Sequence, residues 1–445
     1  AAAWQRTRLR DVAKYCMQDV DLLRRLCSKF RLVETLGQYA AATLTQMQDY
    51  VYSGEQLKIF HLLVNYAEKK GFWVNRDMLP TAPESYVGAT VLDPSCELFV
   101  EPIVGVDFAS LYPSVMCAYN LSFDTVGCSK DRLKTPAEMH LREDQCFKVQ
   151  IGADDVWFVQ KDVRRGIVPL ILEELWANRK AAKKNMKNAA DPFEKMLWDC
   201  IQKAIKVCMN SLYGFTGVRK YAMLGLHWIA QATTTLGRLV IQQSKTYVEE
   251  HYPGACIVYG DTDSLFVKPP LKDCIDDVAK AWKFGTDLAN AVTTIFREPI
   301  LLEMEKVMWP FCQAKKKRYV SMMYESPDDE GHRDAKGVEL KRRDNSLSMR
   351  EVYGRTVEAL LPRPPFTRES IQANVLRELR GGCAAFVADA RLSTPVSLEK
   401  YVVTKSLKQN SDYASLTHPQ LQAAEKMRAR IQQGIIAAEP PRAGD

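Results

Sequence analysis

Two short apolar runs, Cys256-Ile257-Val258 and Leu265-Phe266-Val267, flank the hexapeptide Tyr259-Gly260-Asp261-Thr262-Asp263-Ser264. Runs this short, rich in branched and aromatic residues, read as strands, and the little chain between them predicts an antiparallel hairpin. Gly260 and both aspartates then belong to its tight turn. Two carboxylates two residues apart in a rigid turn hold anionic oxygens close together, which suits divalent cations that clamp a phosphate and its attacking oxygen. Asp and Gly are equally the ordinary residues of a solvated turn, so the hexapeptide needs a second site before it carries chemistry.

That second site is Val104-Gly105-Val106-Asp107-Phe108-Ala109-Ser110-Leu111-Tyr112-Pro113-Ser114. Val104 to Phe108 reads as a strand, and the chain then turns toward a helix. Backbone N–H groups at such a junction can bind phosphate oxygens while Asp107 meets a metal from the opposite side. Asp107 as a simple helix cap is the bland alternative. A strand-end aspartate together with a hairpin pair is the minimal carboxylate set for two metals.

Cations come from a predicted helical pair, Leu170 to about Lys187 and Phe193 to about Leu212, joined at Asp191-Pro192 and closed by Gly214 and Gly217. Arg179, Lys180, Lys183, Lys184 and Lys187 lie on its first helix, and Lys203 and Lys206 on its second. Lys206, Asn210 and Tyr213 share a face at i, i+4 and i+7, with Lys206 among apolar neighbours. Charge for phosphates followed by a flat ring for a base suits a nucleoside triphosphate. A merely solvated charged face is the competing reading of the first helix.

Elsewhere the patterning is coarser. Helical spacing runs from Arg8 to Phe30 and from Leu36 to Tyr66, ending at Lys69-Lys70-Gly71. Strand-sized runs broken by Pro80, Pro83, Pro94 and Pro102 fill Phe72 to about Val168. Helices are expected over His227 to Glu249 and Ile275 to Phe296, a strand over Ile300 to Val307, and mixed helices after Asn345, broken at Leu361 to Pro365. The 445 residues allow about three domains and a large core. An excess of 61 basic over 54 acidic side chains matters only if the cations cluster. Twelve cysteines without a C-x-x-C pair fit a reducing compartment and no zinc site, with Cys117, Cys208 and Cys312 as buried thiols. No membrane-spanning apolar run and no signal peptide are visible.

Asp107 to Ser114, Lys206-Val207-Cys208-Met209-Asn210-Ser211-Leu212-Tyr213-Gly214, and Tyr259 to Ser264 resemble, in this order, the three polymerase motifs of family B DNA polymerases. The delta-like and herpesvirus-like branches are nearest, from Phe215-Thr216-Gly217 after the second motif, Lys316-Lys317-Arg318-Tyr319, and Lys336-Gly337-Val338-Glu339 with Arg342-Arg343-Asp344. The resemblance implies an α+β, right-hand polymerase architecture with an antiparallel palm sheet, two-helix fingers and a mixed, mostly helical thumb. It divides the chain into an exonuclease remnant (1–70), palm (71–165 and 218–345), fingers (166–217) and a truncated thumb (346–445).

It also assigns roles. Asp107 and Asp263 would be the catalytic, metal-binding aspartates and Asp261 a less critical neighbour. Two Mg²⁺ ions would be held by Asp107, Phe108 and Asp263, with Glu305 as an accessory carboxylate and Glu303 its neighbouring candidate. Phe108, Ser110 and Leu111 would offer backbone N–H groups to the dNTP triphosphate, Arg179, Lys183 and Lys206 would bind it from the fingers, and Tyr112 would be the gate that excludes a 2′-hydroxyl. Asn210, Tyr213 and Gly214 would line the nascent base pair. Lys315 to Arg318, Tyr319, Lys336, Arg342 and Arg343, and less strongly Thr404-Lys405-Ser406-Leu407, would contact primer-template DNA.

Tyr15-Cys16-Met17-Gln18-Asp19 resembles the last motif of the family's 3′→5′ exonuclease, and Tyr86-Val87-Gly88-Ala89 the linker that follows that domain. With Asp19 an orphan ligand, no proofreading is expected of this chain, which reads as a fragment at both ends. The implied function is replicative, template-directed DNA synthesis in the nucleus, with a processivity factor and accessory subunits as partners. A non-catalytic DNA-binding scaffold of a replication complex is the alternative. A two-metal nuclease would have no use for the triphosphate helix, and a reverse transcriptase would lack the Tyr112 and Asn210 to Gly214 motifs.

Overall fold

The computed structural model describes residues 2–72, 86–129, 132–217, 227–270, 277–338, 345–391, 400–403 and 419–435. Helices among them are α1 (Ala2–Lys29), α2 (Leu32–Thr43), α3 (Met47–Tyr52), α4 (Glu55–Lys70), α5 (Leu111–Ala118), α6 (Ile167–Asn188), α7 (Pro192–Thr216), α8 (His227–His251), α9 (Val278–Thr293), α10 (Leu347–Leu360), α11 (Arg368–Arg391) and α12 (Pro419–Gln432). Strands are β1 (Leu98–Phe99), β2 (Ile103–Phe108), β3 (Cys128–Ser129), β4 (Arg132–Leu133), β5 (Cys146–Ile151), β6 (Asp154–Val159), β7 (Cys256–Asp261), β8 (Ser264–Lys268), β9 (Leu302–Lys315), β10 (Arg318–Tyr324) and β11 (His332–Lys336). The class is α+β, with antiparallel pairing in every hairpin. None of the described helices is long and apolar enough to cross a membrane.

Two compact units divide the chain, the first from Ala1–Leu92, Gly105–Lys272 and Lys283–Glu305, the second from Asp93–Val104, Asp273–Trp282 and Lys306–Asp445. In the first, the β7–β8 hairpin forms where the paired apolar runs predict it, with Ile257 opposite Val267 and Asp261 opposite Ser264. Its turn is only Thr262-Asp263, and Thr262 takes the left-handed conformation. Gly260 is not in the turn: it is buried within β7. Leu92 donates its N–H to the Gly260 carbonyl (2.9 Å), and a Cβ on Gly260 would stand 2.8 Å from Leu92 Cδ1 and 3.1 Å from Leu265 Cδ2. Close approach of a neighbouring segment, not turn geometry, demands this glycine.

The helical hairpin is longer at both ends than its sequence signals. α6 begins at Ile167, with Pro169 in its first turn, because the preceding segment caps it from a distance. Gly166 N–H donates to Asn120 Oδ1 (2.9 Å), Ile167 N–H to Asp124 Oδ1 (3.0 Å) and Val168 N–H to Ser122 Oγ (3.1 Å). α7 opens on Pro192 at its first position, with the Asp191 carboxylate accepting from the Phe193 and Glu194 N–H groups. Gly214 does not close α7; it lies inside the last turns, and Gly217 follows the final residue.

The expected helix from Leu36 to Tyr66 is three helices, divided where Leu44 turns left-handed and at Ser53-Gly54. α4 ends on left-handed Gly71 as its sequence predicts. α4 meets α6 through Tyr66, whose hydroxyl donates to Glu174 (3.0 Å). Burial and that carboxylate push the Tyr66 phenol up to about 12. α1 is helical as predicted, with Leu9, Val12, Val20 and Leu23 exposed. Cys117 and Cys208 are buried thiols, while Cys312 is only half-buried.

In the second unit β10 lies between β11 and the Lys306 to Lys315 part of β9, and β1 pairs with that same strand. β9 starts at Leu302 and runs well past the predicted end at Val307, through Pro310 to Lys315. The register shifts there, Ser321 facing Phe311 and Met323 facing Met308, so the proline sits at a bulge where no ladder hydrogen bond is demanded of it. Phe99, Phe311 and Tyr319 form the aromatic core, with ring centroids 5.8 and 5.5 Å apart. Pro80 and Pro83 lie outside the described residues.

Candidate active site

The predicted catalytic segments meet in the first unit. β2 delivers Asp107 and Phe108 beside the hairpin turn, and the Phe108 N–H donates to the Asp263 carbonyl (2.9 Å). The Ala109 N–H donates to the Leu301 carbonyl (2.9 Å), which ties the same junction to the chain entering β9. Neither N–H is left for a triphosphate, which corrects the expectation for Phe108. Ser110 is left-handed, and the Ser110 and Leu111 N–H groups at the start of α5 make no backbone hydrogen bond among the described residues. They stand at the N-terminus of α5, where backbone donors are left over.

Asp263 is half-buried at the tip of the hairpin. Burial is the largest influence on its carboxyl and raises its pKa, reinforced by the nearby charges of Asp261 and Glu305; a backbone hydrogen bond and Lys206 oppose the rise. Asp261 accepts from the Tyr259 and Thr262 hydroxyls, both at 3.2 Å, while its main chain pairs with Val91. The two aspartates are therefore inequivalent: Asp261 is held by its own hairpin, and Asp263 bears the crowding.

Tyr112, on the first turn of α5, lies close enough to Asp263 for that carboxylate to add to the rise that burial causes in its phenol pKa. Its ring packs on Tyr213 of α7, with centroids 4.3 Å apart and planes at 37°. Tyr213 in turn hydrogen-bonds Tyr86, and burial holds its phenol well above the ordinary range. Arg238 of α8 donates to the carbonyls of Val87 (3.0 Å) and Gly88 (2.8 Å). The segment resembling an interdomain linker thus supports the ring pair directly, a role its sequence did not reveal.

The helical hairpin brings cations to one face. Lys183 feels desolvation first and then Arg179, Lys206 and Lys187, which all lower its pKa, while Glu303 raises it. Arg179 is half-buried, its pKa lowered by desolvation, and its Nε has no hydrogen-bond partner. An orphaned guanidinium N–H beside two lysines is a waiting donor for an anion. Lys206 is exposed rather than in an apolar surround, because Ile205, Cys208 and Met209 turn to the buried side of α7. Lys203 is drawn aside by Asp199 at 2.6 Å. Asn210 and Gly214 are exposed beside Tyr213, and a Cβ on Gly214 would meet nothing within 4 Å.

Glu303 and Glu305, two apart on exposed positions of β9, divide their effects: Glu305 acts on Asp263, and Glu303 on Arg179 and Lys183. A period of two puts both on one strand face, so alternation along β9 cannot tell them apart; the elements each one faces do. In the second unit, Lys316 and Lys317 form the turn between β9 and β10, with Lys317 left-handed and Lys316 bridged to Asp93 at 2.7 Å. Gly337, at positive φ, lies so close that a Cβ would collide with the Lys317 carbonyl, which seats Lys336 beside that basic turn. Arg342, Arg343 and Thr404 to Leu407 lie outside the described residues.

A sequence profile of DNA polymerase family B matches residues 45–439. The chain belongs to DNA polymerase family B. It is 33% identical over 427 residues to the DNA polymerase delta catalytic subunit of Drosophila melanogaster, covering 94% of this chain and 37% of that protein. It is also 33% identical over 447 residues to that of Caenorhabditis elegans (98% and 38%), and 31% identical over 427 residues to a DNA polymerase of Paramecium bursaria Chlorella virus NY2A (94% and 44%). The chain thus spans well under half the length of these relatives.

Family B polymerases depend on metal ions. Among the described residues no three His, Cys, Asp or Glu side chains converge as a ready-made metal cage. The donor chemistry nonetheless fits a divalent cation: oxygens only, on a half-buried carboxylate whose charge is disfavoured by two neighbouring carboxylates. Mutual repulsion of that kind is what a bound cation relieves.

Proposed function

We propose that this chain is the polymerase core of a replicative DNA polymerase, transferring nucleotides from dNTPs to a primer 3′-hydroxyl under template direction. The observation that carries the reading is the environment of Asp263. Asp261 and Glu305 crowd it, Lys206 opposes them, and Tyr112 stands beside it, so elements from all three motifs converge on one carboxylate. In this reading 166–217 are the fingers, 71–165 and 218–345 the palm, 346–445 the thumb, and 1–70 belong to an exonuclease domain.

Asp107, Asp263 and the Phe108 carbonyl would hold two Mg²⁺ ions, with Glu305 accessory, and the ions would supply the charge that activates the 3′-hydroxyl and steadies the leaving pyrophosphate. The chain's own residues position the reactants. Arg179, Lys183 and Lys206 bind the triphosphate from one side, and the Ser110 and Leu111 N–H groups from the other. Tyr112 packs against the sugar and leaves no room for a 2′-hydroxyl, while Asn210, Tyr213 and Gly214 line the new base pair. Lys316, Lys317, Arg318, Tyr319 and Lys336 contact the duplex backbone, and Arg342 joins them by sequence alone. The whole protein would work in the nucleus with a processivity factor and accessory subunits.

The test is primer extension by the full-length protein carrying Asp263→Asn. Incorporation is expected to fall at least about 10³-fold, the scale at which losing an electrostatic catalytic group is felt, with DNA binding retained. Undiminished incorporation would favour the non-catalytic scaffold instead.

A further inference from the structure

Glycine is the least helix-favouring residue after proline, yet α8 places its single glycine, Gly237, ten residues into a 25-residue helix. The reason lies across the packing interface. A Cβ on Gly237 would stand 3.0 Å from Tyr112 Cε1, 3.6 Å from its Cδ1 and 3.7 Å from Leu111 Cδ2. The first of these is inside ordinary carbon–carbon contact, so even one methyl group would displace the Tyr112 ring by a few tenths of an ångström.

The ring has little freedom to absorb that shift unnoticed. It already packs on Tyr213 at 4.3 Å, and Tyr213 is hydrogen-bonded to Tyr86. The next residue of α8, Arg238, holds the Tyr86 segment through the Val87 and Gly88 carbonyls and bonds back to Thr235 at 2.8 Å. This turn of α8 is therefore fixed on both sides of Gly237. The bare backbone at 237 is the floor on which Tyr112 rests.

We propose that Gly237 is a positioning residue for sugar selection: its missing side chain sets where the Tyr112 ring stands, and so how closely that ring meets C2′ of an incoming nucleotide. The inference rests on the reading of Tyr112 as the sugar gate. A gate acts by van der Waals contact, where a few tenths of an ångström separate a fit from a clash. No contact between Gly237 and the nucleotide is required.

The test measures the dNTP-to-rNTP ratio of kcat/KM in the full-length protein for Gly237→Ala, Tyr112→Ala and the double variant. Gly237→Ala is expected to change the ratio at least about threefold, and to change it no further once Tyr112 is alanine. A ratio within twofold of wild type in Gly237→Ala, or an equal change in the Tyr112→Ala background, overturns the inference. An unchanged ratio in Tyr112→Ala alone defeats the gate reading itself, and with it this one. Should Gly237→Ala fold only when Tyr112 is alanine, the contact is upheld; failure to fold in both backgrounds contradicts it.

Discussion

At the scale of single residues, Asp263 and Gly260 show how differently two members of one hexapeptide are used. Asp263 bears burial and the repulsion of two carboxylates. Gly260 has no part in that chemistry; it lets the Thr90 to Leu92 segment lie against β7. Gly260→Ala should therefore act as overpacking, destabilising the protein by about 1–3 kcal/mol, read as a lowered denaturation midpoint. Unchanged stability would mean that Leu92 and Leu265 yield without strain. The aspartates stood out only once Asp107 supplied a second carboxylate site, since Asp is also an ordinary turn residue, and Gly260 was misplaced because glycine signals a turn and a close approach with the same letter. Glu303 was obscured for a related reason: only the arrival of α6 beside β9 distinguishes it from Glu305.

Among elements, hairpins and capped helices were readable, and their ends were not. The β7–β8 pair and the α6–α7 pair follow from local runs and from Asp191-Pro192. The start of α6 depends on Asn120, Ser122 and Asp124, more than 40 residues away, and no local pattern announces such caps. The division of the expected Leu36 to Tyr66 helix at a left-handed Leu44 is equally silent in sequence, since leucine carries no breaking signal. The link between β10 and β11 offers a direct test. Asp329 accepts from the Glu325 (2.9 Å) and Gly331 (3.0 Å) N–H groups, which hold its carboxyl below the usual carboxylate range. Being lower in the folded state, its contribution is present above the unfolded pKa of about 3.9 and is lost as pH falls through the folded value. Asp329→Asn should thus lower Tm relative to wild type near pH 6, with the difference shrinking as pH falls below the unfolded carboxylate range; a gap independent of pH would count against this role.

For the molecule as a whole, a net charge of +7 says little, whereas the placement of cations says more. The Lys316–Asp93 pair is exposed, and exposed pairs contribute little, so a DNA phosphate can replace Asp93 at small cost. Lys316→Ala should weaken binding to duplexes of any sequence and make the dependence of log affinity on log salt shallower by about 1. An unaltered slope would remove Lys316 from the interface. Family membership was legible because three motifs keep their order between residues 107 and 264, although each alone has an ordinary explanation.

The central claim, that Asp107 and Asp263 act as one metal-holding unit, is tested most directly by primer extension with Asp107→Asn, Asp263→Asn and the double variant across a Mg²⁺ titration. Residues that work as a unit are not additive, so each single variant should lose about as much kcat as the double, at least about 10³-fold, at every Mg²⁺ concentration. Losses that multiply in the double variant, or a single variant that retains incorporation, would contradict it.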